Sequence, residues 1–185
     1  MKKYIIFLVL AILSIKLHAQ RMVYKQKSLE INTGLLNTER VGKNFYLNLT
    51  LNSFAKHGNY WIWGVEYQRK TVDYKNWEIP FEDFIGEVGY SLKLLSDSRK
   101  FITLNGGVTG VVGYESVNRG DSLLLDGGIL KSNNGFVFGS SGRLSLETYL
   151  SDRIVFMLQG RIRVLWGTDL ERFRPSTGVG LRFNF

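Results

Sequence analysis

The stretch Phe136–Leu150, FVFGSSGRLSLETYL, decides how the rest of the chain reads. Phe136, Phe138, Leu144, Leu146 and Leu150 alternate with Gly139, Ser141, Arg143, Ser145, Glu147 and Tyr149. Successive side chains of an extended backbone point to opposite faces, so two rows at period two describe a strand between two different environments. The run is far longer than the 5–6 residues or so of an ordinary soluble strand. It matches the roughly 9–11 residues that a tilted strand needs to cross a bilayer.

The same pattern recurs in both directions from it. In Asn44–Ser53, Phe45, Leu47, Leu49 and Leu51 oppose Tyr46, Asn48, Thr50 and Asn52. In Phe84–Lys93, Phe84, Gly86, Val88, Tyr90 and Leu92 oppose Ile85, Glu87, Gly89, Ser91 and Lys93. Ile154–Trp166 sets Ile154, Phe156, Leu158, Ile162, Val164 and Trp166 against Gln159, Arg161 and Arg163. The chain ends with Thr177, Val179, Leu181, Phe183 and Phe185 opposite Ser176, Gly178, Gly180, Arg182 and Asn184. Leu29–Leu36, Tyr60–Arg69 and Phe101–Glu115 are less regular but compatible, which makes eight strands.

An even number of strands, apolar on one face and polar on the other, predicts an all-β fold: an eight-stranded antiparallel up-and-down transmembrane β-barrel of the outer-membrane type. Closure is required because in hydrocarbon every backbone N–H and C=O must pair within the protein. Phe45, Trp61, Trp63, Tyr90, Tyr114, Phe136, Trp166, Phe173 and Phe185 are candidates for the aromatic girdles at the two interfaces. The connections alternate in length. Phe54–Gly58, Leu94–Lys100 and Ser151–Asp152 are short; Asn37–Lys43, Lys70–Phe81, Ser116–Gly135 and Gly167–Arg172 are longer. Short periplasmic turns and long outer loops are the usual asymmetry of such barrels, so both termini are expected in the periplasm.

The N-terminus reads as an export signal. Lys2 and Lys3 precede the apolar run Tyr4–Ile15, and Leu17-His18-Ala19 offers a small residue for cleavage before Gln20. The run of 12 apolar residues is too short for a membrane-spanning helix, which needs about 20. The expected organisation is a signal peptide at 1–19, a short periplasmic lead at 20–28 and the barrel at 29–185. Cleavage leaves 21 basic against 16 acidic residues and lowers the net charge from +8 to +5. With no Cys in 185 residues, a thiolate metal site, a cysteine nucleophile and disulfides are all excluded. Like charges never run beyond a dipeptide, so no basic tract for nucleic acid is present and no direct nucleic-acid binding is expected.

If the polar face points inward, Glu66, Glu87, Arg143, Glu147, Arg161, Arg163 and Arg182 converge on a lumen that side chains alone can fill. A charge there must be paired, because an isolated ion loses more hydration than the protein returns. The expectation is a mutually neutralising lumen network, ahead of a substrate pathway or a ligand site. Catalysis is disfavoured by inventory, because His57 in a short turn is the sole histidine left after export. The Gly-rich stretches open no helix and so are not phosphate loops. No metal-ligand cluster and no cofactor motif is visible. Gly180–Phe185, ending in Phe183 and Phe185, has the alternating aromatic form that barrel-assembly machinery reads.

Three stretches carry a family resemblance: Gly58–Gly64 (GNYWIWG), Gly142–Arg153 (GRLSLETYLSDR) and Leu158–Phe185 (LQGRIRVLWGTDLERFRPSTGVGLRFNF). In these the chain resembles the conjugal transfer protein TraO family, encoded in conjugative transposons of Bacteroidetes. The resemblance implies an outer-membrane component of a type IV-like mating apparatus and carries over no catalytic or binding residue. The expected function is a structural or docking element of DNA transfer, not an enzyme and not the DNA pore, since eight strands enclose too little space. Expected partners are outer-membrane lipid, other conjugation proteins and the barrel-assembly machinery. A general envelope-stabilising barrel and a soluble barrel binding an apolar ligand remain open as alternatives.

Overall fold

The computed structural model describes residues 23–36, 43–74, 77–98, 101–118, 135–168 and 170–185. The expected signal peptide lies outside the described residues, as does most of Ser116–Gly135. The alternating segments form eight strands: β1 (Lys27–Leu35), β2 (Phe45–Phe54), β3 (Tyr60–Tyr74), β4 (Trp77–Ser96), β5 (Ile102–Val117), β6 (Gly135–Tyr149), β7 (Ile154–Trp166) and β8 (Phe173–Asn184). Each pairs antiparallel with its chain neighbours, and β8 returns to β1 to close the barrel. The seam runs from Ser28↔Asn184 to Leu35↔Thr177.

The apolar rows lie on the outside. Leu47, Leu49, Leu51, Val65, Val88, Val108 and Leu158 are exposed, whereas Asn48, Thr50, Glu66, Glu87 and Arg161 on the opposite rows are buried. The leucine and phenylalanine rows therefore surround the barrel, as a lipid-facing surface requires and a soluble ligand-binding barrel forbids. On β7 the outward row runs from Ile154 to Trp166, 13 residues. At about 3.3 Å per residue and a tilt near 40°, that spans roughly 30 Å, the thickness of a hydrocarbon core. Aromatic contacts mark the outer surface towards both ends. Trp61 meets Tyr90 edge-on at 4.8 Å, and Phe138 stacks on Trp166 at 6.2 Å.

One expected loop is mostly strand. Lys70–Phe81 reads as a long connection because it holds a proline and several charges, yet β3 and β4 pair through Tyr74↔Trp77. Pro80 is tolerated for a definable reason. Its pair partner Thr71 donates its backbone N–H to Asn44 Oδ1 (2.8 Å), on the β2 side, so Thr71↔Pro80 is a non-hydrogen-bonded pair. The missing N–H of Pro80 therefore faces the β5 side, where pairing begins only at Phe81↔Val117. Because β2 stops pairing at Arg69, the β3–β4 hairpin stands above its neighbours as a two-stranded ribbon. Three of the four expected long connections remain.

At the short-turn end, His57 (φ 65°) and Gly58 (φ 82°) reverse the chain between β2 and β3. Both adopt a left-handed backbone, which glycine takes without penalty and a residue such as His adopts only in tight turns. β1 begins at Lys27, so Lys27 and Ser28 of the expected lead already belong to the sheet.

A candidate functional site in the barrel lumen

The strand pairing places basic and acidic residues on different walls. Arg143 of β6, Arg161 and Arg163 of β7, and Arg174 and Arg182 of β8 all point inward and are buried. Arg143 lies directly opposite Arg161, and Arg163 directly opposite Arg174. Glu30 of β1, Glu66 of β3, Asp83 and Glu87 of β4, and Glu115 of β5 occupy the facing wall, with Asp83 opposite Glu115. Among the described residues, Glu147 on β6 is the one buried carboxylate on the basic side. Like charges side by side on a sheet repel, and the arrangement is stable because Arg161, Arg163 and Arg174 reach across the narrow lumen to acids, while Arg182 pairs with Glu30 directly opposite it at the β8–β1 seam and with Glu147.

The crossings occur at three levels. Nearest the termini, Arg182 donates from Nε and Nη2 to Glu30 Oε2 (3.2 and 2.9 Å) and from Nη1 to Glu147 Oε2 (2.7 Å). Its Nη2 also reaches Tyr60 Oη at 2.9 Å. Glu30 accepts further bonds from Asn32 (2.7 Å), Asn52 (2.9 Å) and Gln159 (2.8 Å), and Arg143 Nη1 stands 3.9 Å from it. At the middle level Glu66 receives Arg161 at 2.6 Å and Arg163 at 2.8 Å. Asn48 ties Glu66 (3.2 Å) to Glu87 (3.0 Å), and Thr109 donates to Glu87 at 3.3 Å. Towards the long loops Arg174 bridges Asp83 (2.6 Å) and Glu115 (2.9 Å), while Gln68 and Thr168 hold those two acids. Arg174 also donates to Thr168.

Apolar and aromatic side chains fill the remaining space. Phe54, Tyr60 and Ile62 cluster at the short-turn end, as do Tyr149, Val155 and Met157. Ile85, Val111 and Leu165 form a third cluster on β4, β5 and β7. The Arg182 guanidinium lies 4.5 Å above the Tyr60 ring, and that of Arg161 4.0 Å above Tyr46, within the range of a cation–π contact. Tyr46 lies against the inner wall where Gly34 and Gly178 pair across the seam. A Cβ at Gly178 would overlap the Tyr46 hydroxyl and the Thr33 carbonyl. Glycine there makes room for the tyrosine on which Arg161 rests.

All seven residues expected in the lumen lie in this network. Four others belong with them. Glu30 follows the alternation of Leu29 and Ile31, and that signal was readable. Asp83 lies inside β4 but just before the alternating run that starts at Phe84, Arg174 sits at the start of β8, and Glu115 closes a run whose polar row is interrupted by glycines. His57 is exposed in the turn at the far side of the apolar plug. At the C-terminus Phe183 and Phe185 face outward; Phe185 donates its N–H to the Lys27 carbonyl at 2.9 Å, and the last strand is thus locked to the first.

Residues 23–185 match the family model described as Conjugative transposon protein TraO. No curated protein matches the chain. Among solved structures, it is similar to the Yersinia pestis outer membrane protein Ail in a phospholipid bilayer nanodisc, with a TM-score of 0.53 and 11% identity. That similarity covers 87% of this chain and 99% of the other. Neisserial surface protein A (NspA) gives a TM-score of 0.51 at 10% identity, over 86% of this chain and 95% of that one. At such identities the likeness is one of fold: both are compact outer-membrane barrels.

Proposed function

The chain belongs to the TraO family of conjugative transposon proteins, and from that premise we propose that it is an outer-membrane anchoring and docking element of the mating apparatus, neither its DNA conduit nor an enzyme. The observation that carries this reading is the filled lumen. Five arginines and six carboxylates cross it at three levels, and aromatic residues stop its short-turn end. No path for a DNA strand runs through such an interior. The same ions are engaged with one another, which leaves them poorly placed to act on a substrate. In this reading an N-terminal signal exports the chain, both termini face the periplasm, and the aromatic C-terminus is read by the assembly machinery. Contacts with other transfer proteins then fall to the exposed ends, above all the projecting β3–β4 ribbon and the connection between β5 and β6.

Mating tests this directly. A deletion strain is complemented with the wild-type chain or with a chain in which residues 121–132 are replaced by a short Gly-Ser linker. The expected result is a barrel that still fractionates with the outer membrane and still shifts on heating in a gel, with mating frequency reduced toward that of the deletion. Undiminished mating by the linker chain removes that connection from the mechanism, and undiminished mating by the deletion strain removes the protein.

A further inference from the structure

By chain position, the excess positive charge of the chain falls to one set of turns. The inward-facing charges nearly cancel, five arginines against six acids. By chain position, the segments at and beyond the long-loop rim carry eight basic and eight acidic residues. The lead, the three short turns and the strand ends beside them hold eight basic residues and only Asp97 and Asp152 as acids. By chain position the net charge of the exported chain therefore falls to the short-turn segments, and among the described residues that end carries Lys25, Lys27, Lys56, Lys93 and Arg153 against Asp97 and Asp152.

Its cations are fixed parts of the rim and are distributed around it. Lys25 and Lys27 sit at the start of β1, Lys56 in the β2–β3 turn, Lys93 near the end of β4 and Arg153 before β7. All five are exposed. The Lys25 N–H is held by Phe54 O (2.9 Å), that of Lys27 by Phe185 O (3.3 Å) and that of Lys93 by Asn59 Oδ1 (3.0 Å). The carbonyl of Arg153 accepts from Asn184 N at 2.8 Å. Lys27, Lys93 and Arg153 stand beside the last outward apolar groups of the wall. A register shift between Lys93 and Leu95 turns Leu92, Leu94 and Leu95 all outward, and Phe185 and Ile154 are exposed next to Lys27 and Arg153.

We propose that this rim binds the anionic headgroups of the phospholipid leaflet that surrounds it. A long basic side chain rooted at the edge of an apolar belt lays its stem along acyl chains and sets its charge among phosphates. A full ring at that depth fits a partner that encircles the barrel, whereas a protein or a nucleic-acid strand calls for a patch on one side. The proposal rests on the reading that the barrel sits in a membrane with its short turns in a phospholipid leaflet.

The test uses the exported chain refolded into phosphatidylcholine vesicles with and without phosphatidylglycerol, with spin-labelled lipids to measure which headgroup occupies the first shell. Phosphatidylglycerol should be enriched over phosphatidylcholine by about twofold or more at low salt, and the preference should shrink as ionic strength rises. The K27Q/K56Q/K93Q/R153Q chain should lose it, and K43Q/R172Q at the opposite rim should keep it. If the fourfold chain does not refold, K27Q/R153Q and K56Q/K93Q, made separately, should each lose part of the preference. Equal occupancy in the wild type, or a preference untouched by rim substitution, overturns the proposal. So does binding of a single-stranded oligonucleotide that the same substitutions abolish in vesicles showing no headgroup preference. Lipid selectivity is read without mating, and cell fractionation reads location separately, so this failure is distinct from failure of the conjugative role.

Discussion

Replacing Arg182 by Met should strongly destabilise the barrel, and the loss arises at one carboxylate. Arg182 is fully buried and bridges Glu30 to Glu147. Without it Glu30 still has Asn32, Asn52 and Gln159 as donors and Arg143 at 3.9 Å. Glu147 retains only hydroxyls, from Tyr60 (2.9 Å), Tyr149 (3.4 Å) and Ser145 (3.5 Å). A buried carboxylate that loses its partner costs about 3–5 kcal/mol, and nearly all of that belongs to Glu147. The double variant R182M/E147Q removes the stranded charge and should fall within about 1–2 kcal/mol of the wild type, the scale of a few lost neutral hydrogen bonds. Reversible urea unfolding from lipid vesicles, followed by tryptophan fluorescence and by gel shift, measures all four corners of the cycle. A coupling between the two positions below about 0.5 kcal/mol, the scatter expected of independent sites, would refute the reasoning. It would mean that Arg182 and Glu147 are neutralised independently rather than by each other.

Two further outcomes follow from the wall itself. Gly178→Ala should destabilise by about 1–3 kcal/mol, because the new Cβ overlaps both Tyr46 and backbone. Gly142→Ala and Gly160→Ala, where nothing stands within 4 Å of the added carbon, should change stability by less than about 0.5 kcal/mol in the same unfolding assay. On the outer face, Leu158→Arg near the middle of β7 should make insertion less favourable by about 2–4 kcal/mol, and Leu95→Arg at the rim by about 0–1. Equal costs at the two positions would show that the outer face does not cross a bilayer.

Period-two alternation made the strands legible because it is a local property. A residue's face follows from its neighbours two places away, whatever the strand later pairs with. So the bounds of β7 could be read directly from Ile154–Trp166, and Leu47, Leu49 and Leu51 could be assigned to one side before any partner was known. The projecting β3–β4 ribbon was not legible. Pro80 signals a break unless the N–H it lacks is known to face away from β3, and that depends on which neighbour stops pairing first. Asp83 was hidden with that ribbon, since β4 begins at Trp77, well before the alternating run at Phe84, and Arg174 because a polar residue at the start of a strand looks the same as the end of a loop.

Which side of the sheet meets lipid, and who neutralises whom, belong to the closed barrel alone. Arg161 and Glu66 are 95 residues apart, and Arg182 and Glu30 are 152 apart. No spacing along the chain encodes such pairs. They exist because closure of β8 on β1 sets Arg182 directly opposite Glu30 at the seam and curls the sheet until Arg161 of β7 faces Glu66 of β3 across a gap that one guanidinium can span. The sequence by itself determined that eight two-faced strands would form, since that depends only on how each residue alternates with the next. Only the tertiary structure decided the pairing of the charges, because an ion's partner is set by distance through space and the register of every strand between them enters that distance.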